Sequence, residues 1–250
     1  MRIKIGTYNV CHCGDYANRK DGDPTFVIDI NMPATAQTIK ELGLDLIGIN
    51  EFYDDGNIPD RCKQAEKVAS LSGYEYSVFA KGQTYDFVTI GNGMLSHYPL
   101  TNIEKITVPT IDEDEREDKD AWWEDRVLLV ADVDFNGKMV KVIESHFGCN
   151  LSEREKIVKV ACDIIDKSEY PVVLMGDFNA FPTDAELKPL YDRLNSCAMV
   201  TGNTDFTFAS YDPKIHIDYI FVPKTAKVIS YKVHNYKTSD HFPISAEIEL

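Results

Sequence analysis

Apolar residues along this chain fall into short runs of alternating apolar and polar positions, rich in Val, Ile and Tyr and bounded by Gly, Pro, Asn or Asp. That period of two is the signature of strands with one buried face. It predicts strands over 3–10, 44–50, 74–80, 87–96, 103–108, 126–135, 139–145, 172–176, 216–222, 227–234 and 244–250. Asn136-Gly137 between two of these runs predicts a tight hairpin, because both central residues of that turn need positive φ. The period changes to 3.6 in a few places, predicting helices over 33–42, 60–72 and 152–167 and a weaker one over 184–191. In the third, Ile157, Val160, Ala161, Ile164 and Ile165 share one face, and Ser152-Glu153-Arg154-Glu155 reads as a capping box at its start. Strands outnumber helices, and several helices serve as crossovers. The expected fold is therefore α/β, with two sheets packed face to face and helices outside. With no internal repeat, linker or low-complexity stretch in 250 residues, a single domain over 1–250 is expected.

Composition narrows the class. Hydrophobic residues at 44% and charged ones at 27% describe an ordinary globular chain rather than a disordered or coiled-coil one. A formal net charge of −15 argues against general affinity for nucleic acid, which rests on Lys and Arg displacing counterions from phosphates. The six cysteines are scattered without the spacing of a disulfide framework, so reduced thiols are expected. Cys11-His12-Cys13 invites a zinc reading, but no second ligand pair at metal-binding spacing accompanies it; small buried residues leaving a strand are the simpler account. The first residues enter an alternating pattern without an apolar leader, and no run is long enough to span a membrane, so a cytoplasmic location is expected. Residues 111–125, IDEDEREDKDAWWED, form a dense acidic stretch ending in Trp122-Trp123. It reads either as a solvated loop with its aromatics tucked back or as a lid whose indoles line a cleft.

Candidate chemistry sits at strand ends. Asn9 closes the first strand, Glu51 the second, Asp177 and Asn179 follow the apolar run 172–175, Asp218 lies in Ile217-Asp218-Tyr219-Ile220, and Asp240-His241 precede the last strand. Among 41 acidic residues any single one is ordinary. An acidic side chain closing an apolar strand is different, because its desolvation is costly unless a cation or hydrogen-bond donors compensate. Asp177 and Glu51 carry most weight on that test. Hard oxygen ligands with an imidazole nearby are what phosphoester cleavage requires: charge neutralisation on the phosphoryl oxygens and an activated water.

The blocks Thr7-Tyr8-Asn9-Val10, Ile49-Asn50-Glu51, 91–100 (GNGMLSHYPL), Glu144-Ser145-His146-Phe147, Gly176-Asp177-Phe178-Asn179, His216-Ile217-Asp218-Tyr219-Ile220 and Ser239-Asp240-His241-Phe242-Pro243 occur in the order of one known family. In them the chain resembles the endonuclease/exonuclease/phosphatase (DNase I-like) superfamily. The resemblance implies a four-layer α/β/β/α sandwich, two mixed β-sheets packed face to face and flanked by helices, and a Mg²⁺-dependent phosphoester hydrolase, with Mn²⁺ as an alternative ion. It implies Glu51 as the main metal ligand with Asn9 and Asp240 assisting, Asp177 and Asn179 positioning the water and a phosphate oxygen, an Asp218–His241 pair, and His146 donating to a non-bridging oxygen. Arg126 would bind phosphate. Which of Asp177 and His241 takes the proton from water stays open. Asn50 stands where the family usually has Gln, and Tyr53 where some nucleases have Arg. With the net charge, these departures favour a small or lipid-like phosphoester, diester or monoester, over duplex DNA. A DNA or RNA nuclease and a catalytically inactive binding module on this fold are the alternatives.

Overall fold

The structure is a computed structural model and describes residues 1–16, 29–54, 58, 60–85 and 88–250. In chain order its elements are β1 (Arg2–Asn9), α1 (Met32–Leu42), β2 (Leu46–Tyr53), α2 (Gln64–Ser72), β3 (Tyr76–Tyr85), β4 (Val88–Ser96), β5 (Leu100–Val108), β6 (Arg126–Asp134), β7 (Met139–Ser145), α3 (Leu151–Lys167), β8 (Val172–Asp177), α4 (Lys188–Arg193), β9 (Leu194–Ser196), α5 (Cys197–Thr201), β10 (Asp218–Pro223), β11 (Lys227–Val233) and β12 (Ile244–Glu249). They form two six-stranded sheets, ordered β11-β12-β1-β2-β4-β3 and β5-β6-β7-β8-β10-β9. β1 with β2 and β7 with β8 pair parallel, while their outer neighbours pair antiparallel, so both sheets are mixed as expected. No helix among the described residues is long and apolar enough to cross a membrane.

Alternation along the strands builds three layers of core. Ile3, Ile5, Leu46 and Met94 of the first sheet meet Val127, Leu129, Val142, Val173 and Ile220 of the second between the sheets. The opposite faces pack outward: Ile47 and Ile49 on α1 and α2, Leu128 and Leu174 on α3. Along the inner face, however, the residue type changes from one end to the other. β1 runs Ile3, Ile5, Thr7, Asn9; β2 runs Leu46, Gly48, Asn50; β7 runs Val140, Val142, Glu144; β8 runs Val173, Met175, Asp177. The paired parallel strands point the same way, and antiparallel β10 begins at Asp218 opposite Asp177. The interior is therefore apolar at one end and polar at the other.

The polar end is tightly fitted. Thr7 of the first sheet donates its hydroxyl to Glu144 of the second at 3.1 Å, Asn50 accepts the Asp177 backbone N–H at 2.9 Å, and Asn92 donates to the Val127 carbonyl at 2.9 Å. Gly48 leaves the space that the Glu144 carboxyl fills: a Cβ there would lie 1.7 Å from Oε2. Burial pushes the Glu144 carboxyl well up, as low polarity disfavours its charged form.

The Asn136-Gly137 turn forms with φ of 53° and 93°, as expected. Other details differ. α2 begins at Gln64 rather than at residue 60, since Lys63 adopts a left-handed φ of 52°. The weak helix over 184–191 is a short 3₁₀ turn, Ala185–Leu187, leading into α4, and β9 and α5 are too short for a periodicity to declare. The capping box does not form. Ser152 lies inside α3, whose cap position is Asn150, and its N–H and hydroxyl both donate to Glu117 of the acidic segment, at 3.2 and 2.6 Å. Phe87, the expected start of the fourth strand, lies outside the described residues. Gly48→Ala is expected to cost about 1–3 kcal/mol in urea unfolding, as overpacking does, and to cost less in an Glu144→Ala background. Additive losses would show that the two positions are not in contact.

Candidate active site

Asp177 is the hub of the polar end. Its Oδ2 accepts from Asn9 Nδ2 at 3.1 Å and lies 3.4 Å from His146 Nε2 and 3.5 Å from His241 Nε2; its Oδ1 accepts the Asn179 N–H at 2.9 Å. His241 Nδ1 in turn faces both Asp218 oxygens, at 2.9 and 3.2 Å. The His241 ring is thus held between two buried carboxylates. Burial alone would lower its pKa, but Asp218 and Asp177 outweigh it and hold the imidazole well above its ordinary value. Burial pushes Asp177 up to about 6, against the pull of His241. Burial, helped by Arg126, drives the His146 imidazole well below its ordinary value.

Glu51 reaches the same place by a local irregularity. Strict alternation would send its side chain away from the face that Asn50 occupies. Instead the β2–β4 register shifts between Ile49 and Phe52, and Glu51 takes a φ of 62°. A bulge with a left-handed residue re-aims the side chain, and Glu51 Oε1 accepts from Asn9 Nδ2 at 2.9 Å. Asn179 holds a left-handed φ of 47° as well, donating from Nδ2 to the Phe147 carbonyl at 3.0 Å and lying 3.1 Å from His146 Nε2. Such conformations cost on the order of 1–3 kcal/mol each and cluster where side-chain placement matters. Asn9 is thus the bridge between the two carboxylates; its own oxygen accepts the Cys11 N–H at 3.0 Å. Asp240 lines the same cleft, and after burial its charge is the main cause pushing Glu51 up to about 7.

The cleft over this layer has a volume of about 930 Å³. One wall is His12, stacked on Tyr53 at 4.0 Å; the other carries Tyr85, with Trp122 5.8 Å away. The acidic segment splits its aromatics: Trp122 is 61% exposed and faces the cleft, while Trp123 turns back under Arg116, 5.3 Å from its ring. Arg126 reaches the cleft but pairs with Glu124 at 2.8 Å, and Glu124 also accepts from the Tyr85 hydroxyl. The Arg126 Nε is buried without a partner among the described residues. No disulfide joins the six cysteines, matching the expectation of thiols.

The sequence matches the Endonuclease/Exonuclease/phosphatase family over residues 6–241. The chain belongs to this family. Solved structures with the same fold include the endonuclease/exonuclease/phosphatase from Beutenbergia cavernae DSM 12333, at 20% identity and a TM-score of 0.77 over 100% of this chain and 72% of that one. The mannosyl-6-phosphatase of Bacteroides thetaiotaomicron VPI-5482 matches at 15% identity and a TM-score of 0.74, over 99% of this chain and all of that one. A D. rerio TDP2 humanized by 14 mutations matches at 18% identity and a TM-score of 0.65, over 100% and 99% of the two chains. No curated protein matches by sequence. The family is one of hydrolytic phosphoesterases and is generally metal-dependent.

Of the candidate residues, Asn9, Glu51, His146, Asp177, Asn179, Asp218 and His241 form one connected set, with Asp240 beside it. Sequence reasoning set His12 aside as part of a buried Cys-His-Cys turn and missed Glu124, because a positive-φ turn and a charge partner leave no mark on periodicity. Among the described residues, two groups could hold a metal through atoms within 4.8 Å of one another: Asp177, Asp218 and His241, and Cys11, His12 and Glu51. In the first the donors already satisfy each other. For Glu51 the linkage has a definite sign. Its folded pKa of about 7 lies above the ordinary value of 4.5, so the metal-free fold loses stability as pH rises between those values. In EDTA, Glu51→Gln should be more stable than wild type by about 1–3 kcal/mol at pH 8, with the difference gone near pH 4.5. A difference that does not change with pH would place Glu51 in an ordinary environment.

Proposed function

We propose that this chain is a metal-dependent phosphoester hydrolase working by in-line attack of water on phosphorus. The observation that carries this reading is the His241 ring clamped between Asp218 and Asp177, beside the Glu51–Asp240 pair. Because His241 is held protonated, it is a donor rather than a base, and Asp177 is the group left to accept the proton of the attacking water. As the O–H bond breaks and its proton passes to Asp177, the water oxygen bonds to phosphorus, the P–O bond to the leaving group breaks, and the departing oxygen takes a proton from solvent, to which Asp177 returns its own. His241 Nε2–H, His146 and the Asn179 amide face the space where charge develops on the phosphoryl oxygens, donors fixed in advance by Asp218, Asp177 and Phe147.

The donors at Glu51 fit a hard divalent cation. Burial first and the neighbouring Asp240 carboxylate second push Glu51 up to about 7, a penalty that a bound cation relieves. Mg²⁺ or Mn²⁺ held by Glu51 and Asp240, with Asn9 beside them, would neutralise charge on the phosphoryl group. Arg126 is the further phosphate contact, reached once Glu124 yields it. In this reading residues 1–250 act as one domain. The substrate we propose is a small or lipid-like phosphoester: the cleft is compact, aromatic at its rim through Trp122 and Tyr85, and the chain carries −15 overall.

Glu51→Gln and Asp177→Asn are expected to lower kcat on bis-p-nitrophenyl phosphate or p-nitrophenyl phosphate with Mg²⁺ by roughly 10³-fold or more, and Asp218→Asn by about 10²-fold. EDTA should abolish turnover. Near-wild-type turnover in either of the first two variants would refute the assignment. Plasmid nicking stronger than hydrolysis of these small esters, and falling steeply with salt, would favour the nuclease.

A further inference from the structure

We infer that His12 is a nitrogen ligand to the divalent ion at Glu51, so that the site prefers Co²⁺ and Zn²⁺, with Mn²⁺ between, over Mg²⁺. This rests on the reading that Glu51 holds a cation. His12 lies in a single 3₁₀ turn, Cys11–Cys13, that leaves the end of β1, and all three residues there have left-handed φ of 40°, 60° and 60°. No side chain adopts such a run without cost. Its effect is to turn the imidazole into the cleft. The ring is then fixed on several sides. It stacks on Tyr53 at 4.0 Å and 4°. Buried Gln64 ties the two residues together, donating to the His12 carbonyl at 2.9 Å and accepting the Tyr53 N–H at 2.8 Å.

The ring nitrogens face two parts of the same residue. Nδ1 lies 3.2 Å from the Glu51 backbone oxygen, and a carbonyl can only accept, so Nδ1 carries the hydrogen. In the neutral ring Nε2 then presents a lone pair to the Glu51 carboxylate, 3.4 Å from Oε2. Two acceptors aimed at each other need a positive charge between them. The second-nitrogen hydrogen bond that orients a metal-binding histidine is already made, here by the Glu51 carbonyl. Cys11 Sγ completes the group of atoms within 4.8 Å, but it contacts the Tyr16 hydroxyl at 3.1 Å, which leaves His12 and Glu51 as the ligand pair. An imidazole adds little for Mg²⁺, which takes oxygen ligands, and much for Co²⁺ and Zn²⁺. The competing account is a plain His12–Glu51 ion pair with both ring nitrogens protonated.

The test is ion binding to the purified chain, independent of turnover. Calorimetric titrations with Mg²⁺, Mn²⁺ and Co²⁺ give the Co²⁺:Mg²⁺ affinity ratio for wild type, His12→Gln and His12→Ala. Electron spin-echo spectra of the Mn²⁺-loaded protein report nitrogen bound to the ion and need no variant. The inference expects a nitrogen coupling in wild type that is lost in His12→Gln, and a Co²⁺:Mg²⁺ ratio that falls roughly tenfold or more in both variants. A Mn²⁺ spectrum without nitrogen, or a coupling and ratio unchanged in His12→Gln, overturns it and leaves the Glu51 metal reading standing. If none of the three ions binds wild type, both readings fall.

Discussion

A carboxylate buried between two β-sheets has to be compensated, and Asp177 is compensated by groups from both. Asn9 and Asn50 reach it from the first sheet, while Asn179, His146 and His241 reach it from the second sheet and its adjoining loops. Its own side chain is only 2% exposed. An isolated charge in that position would cost several kcal/mol, so the polar end of the interior can exist only as a complete network. The same network fixes the inter-sheet register at one end, as the interleaved Val, Ile and Leu side chains fix it at the other. Folding and site assembly are therefore one process.

Strand geometry supplies only every second residue to that interior, and a site with adjacent functional groups needs exceptions. The bulge at Glu51, the left-handed Asn179 and the turn at His12 are those exceptions, and each brings to the cleft a side chain that alternation would have sent elsewhere. Gly176 permits another close approach: with φ at 141° and the Ser145 carbonyl 1.8 Å from where a Cβ would sit, it lets β8 press against the end of β7. Backbone cost is concentrated around the hub, where the surrounding strands over-determine the conformation.

This division explains what could be seen in the sequence. Alternation in β6, β7, β8 and β12 reflects burial of one or both faces, so those strands stand within a residue or two of where the pattern puts them. Asp177 and Glu51 stood out because an acid at the end of an apolar run is physically anomalous. The order of short motifs added Asn9, His146, Asp218 and His241, which no periodicity would single out. What remained hidden depends on three-dimensional partners. Glu117, in the middle of a run of acids, caps α3 from 35 residues away; Ser152 has the capping residue type, but a rival acceptor takes its hydroxyl. His12 looked like part of a buried cysteine turn because its contacts, Tyr53, Gln64 and Glu51, are all distant in sequence.

The central claim is that His241 is held as an imidazolium between Asp218 and Asp177. Nitrogen-15 NMR of the histidine side chains, followed from pH 5 to 9 without metal, reads this directly. The account predicts that both His241 ring nitrogens stay protonated through neutral pH, and that Asp218→Asn lowers the pH at which the ring loses its proton. A wild-type ring already neutral at pH 7, with one bare nitrogen, would contradict it.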